Sequence, residues 1–538
     1  MKVLQTAAPS VWVIGTHLKG PAAGSSKPRL DVSSRVVIVS LASVLVVAML
    51  TWHTPQSVYM DPAWQLNALR QYLAGQSPNF NTLVQANPKD LSRDHFGWIS
   101  QWPPLMGLII LALTRAGISI LLGVRMLAIA GLAVGSIGWG LWAERFAVPR
   151  WVVYCIAAGT PFIRYANNPV FSYYTEGLAF AMAPWMLICA ERLVRRWALP
   201  TAVATGVLFG AAYWAKYSLA FISVGALAFL FWRVRWRALW AAIPCMALML
   251  ALNELNRTMG AAASIVSQGS IRVVWNWRVL VAPFSFVPLG MADLDAMLHY
   301  LFMNPEHPLE HAEAVIYLAG LPGVLLLAWL LRPSRNEEWL SISVALASMV
   351  SLIALWLTVS TVGYEVRYIA SAAMALIPLA AASAYRKWPS ISRRARCALV
   401  AAALAYLVVP TAYGAVTVLG KRGRDSVSLL RPVPKVDVVY AADPVIAFGL
   451  DGRKVITAAD FEPESMLRSQ TYHTSVPMSI GVVLPVHFEG SGKGEIIRKN
   501  FPQAREWQGP VPFNSAYQVW VAQLIPDEAD TTSASKRE

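Results

Sequence analysis

The residues of this chain best suited to chemistry are few, and they are polar groups set at the edges of apolar runs. Asp61, within Met60-Asp61-Pro62-Ala63-Trp64, closes the first such run. Glu176 opens another after Tyr173-Tyr174-Thr175, Lys216 sits at a turn within Trp214-Ala215-Lys216-Tyr217, and Glu365-Val366-Arg367-Tyr368 precedes an Ala- and Leu-rich run. A carboxylate can take the proton of an attacking hydroxyl, while Lys and Arg neutralise a departing phosphate whose low basicity calls for charge compensation more than for protonation. Carboxylates and cations at one membrane depth therefore suit a group transfer from a lipid phosphate, with Asp61 and Glu176 in catalytic roles and Lys216, Arg272, Arg367 and Tyr368 at the phosphate. Trp64, Asp94, His95 and Glu365 are candidates for the acceptor side or its loop.

Each of these residues has a plainer reading. Asp61 before Pro62 also suits a turn, and Glu176 suits a helix N-terminus, where the dipole favours an acid. Lys216 can snorkel to lipid headgroups, and Arg367 can pair structurally with Glu365. The segment 271–290, with Arg272, Trp275, Trp277 and Arg278, suits either a cover over a cavity or ordinary interfacial anchoring.

The elements that must hold these residues follow from composition. The chain has 538 residues, 56% of them hydrophobic and 14% charged, with a mean hydropathy of +0.47. That leaves too little polar surface to wrap a soluble globule. Apolar runs approaching the ~20 residues of a bilayer-crossing helix, without strand-like alternation, argue against a barrel. The fold class expected is a polytopic all-α membrane protein. The formal charge of +15 would suit nucleic acid in another setting. Here the positive residues fall in short loops, where they mark the cytoplasmic face, so no nucleic-acid partner is expected. Cys155, Cys189, Cys245 and Cys397 lie in or beside the apolar runs and read as packing residues.

Charge sets the direction of each span. Residues 1–35 read as a cytoplasmic tail and 36–420 as the membrane domain, crossed at 36–53, 118–142, 151–166, 173–190, 201–215, 217–231, 238–252, 313–331, 339–359, 369–385 and 397–419. This makes about eleven spans, with Pro103–Leu113 too short to cross and lying at the outer interface. Outer loops then fall at 54–102, 167–169 and 253–312. The basic stretches 144–150, 191–196, 233–237, 332–335 and 386–396 share the other face. Residues 421–526 carry strand-like runs at 436–440, 455–457, 480–484 and 517–521, with helical stretches near 464–470 and 494–500, and read as a small α/β domain outside the membrane. Residues 527–538 read as a disordered tail. The protein is thus expected in the plasma or inner membrane, multi-pass, N-terminus inside and C-terminal domain outside.

His307-Pro308-Leu309-Glu310-His311 matches a zinc-peptidase pattern, but Pro308 is tolerated only in a first helical turn, so the stretch reads as a loop-to-helix junction. No cofactor or metal site is assigned; a divalent ion held by Asp94, His95 and His299 stays open.

Several motifs resemble one superfamily. Met60-Asp61-Pro62-Ala63-Trp64, Trp102-Pro103-Pro104-Leu105, Gly117-Ile118-Ser119, Val124-Arg125-Met126-Leu127, the Lys216-Tyr217 turn and Arg367-Tyr368 resemble the GT-C glycosyltransferases, nearest to the bacterial relatives of protein O-mannosyltransferases and of lipid A aminoarabinose transferases. The resemblance spans roughly residues 36 to 385. It implies a sugar transfer from a polyprenyl-phosphate donor, at the outer membrane face, to a lipid, glycan or protein acceptor. It also implies that Asp61 acts at the acceptor and that Glu176 is a second acid. Two departures stand out: Pro62 replaces the second acid of an Asp-Glu pair, and Glu stands at 176 where Asp is commoner. The alternative class is a transporter or lipid flippase, which would call for charges near mid-bilayer and matched broken helices.

Overall fold

The structure is a computed structural model that describes residues 31–52, 60–87, 89–100, 102–172, 176–259, 333, 335–358, 370–398, 400–401, 435–441, 444–449, 454–457, 471–485, 499–513 and 517–526. Among these, the chain opens with α1 (Val32–Trp52), α2 (Met60–Leu73) and a hairpin of β1 (Thr82–Asn87) and β2 (Asp90–Trp98). A run of helices follows: α3 (Leu105–Arg115), α4 (Ile120–Glu144), α5 (Arg150–Gly159), α6 (Arg164–Ser172), α7 (Glu176–Arg195), α8 (Leu199–Ala215), α9 (Leu219–Val234), α10 (Leu239–Thr258), α11 (Asn336–Thr358) and α12 (Ala370–Lys387). Near the C-terminus lie β3 (Val438–Ala441), α13 (Pro444–Gly449), β4 (Lys454–Thr457), β5 (Met478–Pro485), β6 (Ala504–Pro512) and β7 (Tyr517–Leu524).

Four described helical stretches are long and apolar enough to cross a membrane: α1, α4, α7 and Leu219–Thr258, the last comprising α9 and α10. They pack as one bundle, α4 on α1 and α7, α8 on α10, and α9 on α11. Two glycines allow this close approach. A Cβ at Gly135 of α4 would run into the ring and backbone of Phe180 on α7, and one at Gly206 of α8 would run into the Ala241 carbonyl on α10. Between such helices small residues let backbones meet where lipid-like side chains offer no net drive.

Charged residues gather at one pole of the bundle. Ser33 donates to Glu144 (2.9 Å), Arg145 pairs with the buried Glu191 (3.2 Å), Arg195 bridges Glu191 and Glu337, Arg386 pairs with Glu338 (2.6 Å), and Arg233 donates to Asn336. The basic stretches at the ends of α4, α7, α9 and α12 thus meet at a common end, with the start of α11 between them.

Several boundaries differ from the sequence expectation. α1 starts at Val32 rather than 36, because the Asp31 carboxylate accepts from the Ser34 amide (2.8 Å) as a helix cap. It is described to Trp52, and Asp61 stands near the start of α2 as described from Met60, where Pro62 is tolerated because a first-turn N–H has no partner to lose. Residues 54–102, expected as a polar loop, hold a helix and a hairpin. Asn167-Asn168-Pro169 is no loop but part of α6; the break comes earlier, where Pro161 and the extended Ile163 (ψ 132) interrupt the run. α10 continues past the expected boundary at 252 to Thr258, supported by the Glu254–Arg257 pair one turn apart.

The C-terminal strands form a five-stranded mixed sheet of order β4-β3-β5-β7-β6, with β3 parallel to β4 and β5, and β7 antiparallel to β5 and β6. One face buries Val438, Tyr440, Ile480 and Val482 together with Leu91 and Ala86 of the β1–β2 hairpin. The hairpin and the sheet therefore share a hydrophobic core. Spans expected at 313–331 and, for most of its length, 397–419 lie outside the described residues, as do 464–470, 494–498 and 527–538.

Candidate active site

At the pole opposite the basic cluster, Lys216 Nζ lies 2.9 Å from Glu176 Oε1, and each side chain is only 7% exposed. Helix ends explain the placement. Glu176 is the first residue of α7, where the dipole favours an anion, and Lys216 is the extended residue (φ −157, ψ 126) that closes α8, where it favours a cation. Position 177 is a Gly against Pro169 of α6, and a Cβ there would sit 3.1 Å from the proline. Tyr165 of α6, hydrogen-bonded to Ser371 of α12 (2.8 Å), lies within electrostatic reach of the Glu176 carboxylate.

The segment 98–103 is pinned against this pole. Tyr217, next to Lys216, donates to the Ser100 carbonyl (2.8 Å) and accepts from the Asn256 amide (3.1 Å). Asn256 in turn accepts from the Trp98 indole (2.9 Å). From the other side Gln65 donates to the Trp102 and Pro103 carbonyls (3.2 and 2.9 Å), and Asn81 donates to Ile99 (2.7 Å). Trp64, buried, packs with Trp102, Ile99, Leu83 and Ala68.

α2 is held between two partners. Gln71 grips β1 through both ends of its amide, donating to the Val84 carbonyl (2.7 Å) and accepting from the Val84 amide (2.8 Å). Position 61 shares the helical register of Gln65 and Ala68, which face the 99–103 segment; Ala63, Leu66 and Leu69 pack into the bundle core.

Asp94 and His95 have structural neighbours. Asp94 Oδ1 pairs with Lys454 Nζ of β4 (2.7 Å), both part-exposed, and His95 is a half-buried β2 residue paired with Gln85. Asp90, one strand end away, accepts from the Ser475 amide (3.0 Å) and hydroxyl (2.8 Å). Burial pushes its carboxyl up, but hydrogen bonds from Ser92 and Ser475 outweigh that and hold it below the usual carboxylate value. Because the folded value is depressed, this contact contributes fully above the ordinary Asp value of ~4 and is lost as pH falls through the lower folded value. Protection of the Ser475 amide, taken relative to its intrinsic exchange rate, should therefore fall as pH drops below about 4. In an Asp90→Asn variant that protection should be lower already at pH 7, by an opening cost about 1–2 kcal/mol lower, and should vary little with acid.

Among the described residues no group of three His, Cys, Asp or Glu is placed to hold a metal ion. Arg272, His299, His307, His311, Glu365, Arg367 and Tyr368 lie outside the described residues, so the structure brings together Glu176 and Lys216 of the expected set, with Asp61 placed by its backbone alone. Tyr217, Asn256, Arg70, Gln71 and Lys454 carry contacts that sequence reading passed over. Only Tyr217, in a motif already singled out, had a signal that could have found it.

No family model matches this chain, and no curated protein does. Solved structures do. ArnT from Cupriavidus metallidurans bound to undecaprenyl phosphate matches over 90% of this chain and 97% of its own, at 12% identity and TM-score 0.43. The same protein in the apo state matches over 91% and 98%, at 11% identity and TM-score 0.44. The archaeal oligosaccharyltransferase AglB from Archaeoglobus fulgidus, in complex with an inhibitory peptide and a dolichol-phosphate, matches over 90% and 74%, at 11% identity and TM-score 0.44. A likeness of this degree decides no residue role and no substrate.

Proposed function

We propose that the chain is an integral-membrane glycosyltransferase of GT-C type, with about eleven spans, moving a sugar from a polyprenyl phosphate to an acceptor at the outer face. The observation that carries this reading is the buried Glu176–Lys216 pair at the pole opposite the basic loops. Positive-inside orientation puts that pole outside, and with it the hairpin and the C-terminal sheet, in a bacterial cell the periplasmic side. A desolvated acid and cation at a membrane edge are costly and are retained where chemistry uses them.

In the reaction, the acceptor hydroxyl attacks the anomeric carbon, a new C–O bond forms, and the bond to the phosphate oxygen breaks with the electron pair leaving on the phosphate. Asp61 takes the acceptor proton. Lys216, held by Glu176 until the donor arrives, meets the developing phosphate charge together with Arg272, Arg367 and Tyr368. Glu365 remains on the acceptor side, whereas Trp64 and Asp94 serve the scaffold that holds α2 and the hairpin. The charged residues lie at the poles of the described bundle, which disfavours the transporter alternative.

Purified protein given a synthetic polyprenyl-phosphate sugar and a cell-envelope extract should release polyprenyl phosphate and yield a glycosylated product resolved by mass spectrometry. An intact donor after prolonged incubation across a panel of such sugars would contradict the proposal.

A further inference from the structure

We infer that Arg70 is a positioning residue for this site, clamping α2 to the C-terminal sheet so that the sheet sets where Asp61 stands. The inference rests on the proposed function above. Arg70 Nη1 donates to the Phe448 carbonyl (2.6 Å) and Nη2 to the Ala447 carbonyl (3.1 Å), at the end of α13. Its guanidinium also lies 5.8 Å from the Phe448 ring centroid. Carbonyls ending a helix attract a cation, and a planar fork can satisfy two at once. Phe448 itself enters the core of the helix bundle.

The clamp closes a triangle. α2 holds β1 through Gln71, the hairpin holds the sheet, and α13, packed on the sheet, holds α2 through Arg70. The second side rests on the Leu91 amide donating to His473 (2.8 Å), Asp90 with Ser475, and Lys454 with Asp94 and the Ser92 carbonyl (3.0 Å). α2 needs such support. A 14-residue helix is marginal alone in water, and the apolar side chains of α2 are divided between the bundle core and the cluster of Leu83, Ile99 and Trp102. Arg70 stands nine residues from Asp61, about 13 Å along the axis, too far to touch the same reacting atoms. It acts by fixing the helix, and a displacement of ~1 Å at a proton acceptor costs on the order of 10²-fold in rate.

The test uses the full-length protein in nanodiscs. Arg70→Gln should lower kcat by about 10- to 100-fold, with KM for the lipid-linked donor changed less than about 3-fold, because donor binding belongs to Lys216 and its companions. Arg70→Lys should restore only part of kcat, since an ammonium cannot bridge both carbonyls in one plane. Hydrogen exchange of the α2 amides should rise in Arg70→Gln while those of α4 and α7 hold. Should Arg70→Gln fail to fold, Lys454→Met, at the exposed side of the triangle, should show the same rise in α2 in milder form. Unchanged kcat in Arg70→Gln, full restoration by Lys, or unchanged α2 exchange would each overturn the clamp. A wild-type protein without any transfer would count against the function instead, and exchange in α2 would still decide the clamp.

Discussion

Asp61→Asn should reduce transfer by about 10²–10⁴-fold while leaving expression, thermal unfolding and donor binding near those of the wild type. The amide keeps the shape of the side chain and removes its capacity to take a proton. Position 61 is in the first turn of α2, so the substitution also removes a negative charge from a helix N-terminus, an effect of only ~0.3–1 kcal/mol. That asymmetry makes the result decisive: a purely capping Asp would leave turnover intact and shift only stability. Steady-state transfer with a saturating donor measures it, and normal turnover by the variant would remove Asp61 from the mechanism.

The second large effect belongs to the buried ion pair. Glu176→Gln leaves the Lys216 ammonium without its carboxylate partner in a site where both side chains are 7% exposed, and Lys216→Met leaves the carboxylate. Breaking a buried pair from one side costs about 3–5 kcal/mol, since the remaining charge stays desolvated. The double variant Glu176→Gln with Lys216→Met should recover much of that loss, because neither member of the pair keeps its charge. Activity should follow a different order: Lys216→Met should abolish transfer alone and in the double variant, whatever its stability. Denaturation in detergent together with the transfer rate separates the two effects, and a double variant that regains transfer would make the pair purely structural.

Much of this architecture can be read from residues, and the parts that cannot have physical reasons. The run 118–142 is apolar throughout and is found as α4 at Ile120–Glu144. β3, β4, β5 and β7 show in β-branched residues such as Val438-Val439 and Val482-Val483, which fit a pleated buried surface. β6 does not show, because Arg505, Gln508, Pro510 and Pro512 mark an exposed edge strand that owes its place to β7. The β1–β2 hairpin does not show, because the polarity of Ser92, Arg93, Asp94 and His95 reads as loop. Glu176 and Lys216 each stand out as charges among apolar neighbours, yet they are 40 residues apart and nothing local announces that they meet. Arg70 looks like any surface arginine; its partners lie 377 and 378 residues away.

The most direct test of the account asks which pole of the bundle receives the lipid phosphate. A photoreactive polyprenyl phosphate incubated with the nanodisc-embedded protein should label peptides around Lys216 and Tyr217, should label Lys216→Met far less, and should be displaced by unlabelled polyprenyl phosphate but not by the uncharged polyprenol. Labelling around Arg145, Arg195 and Arg386 at the basic pole, or equal displacement by the polyprenol, would contradict it.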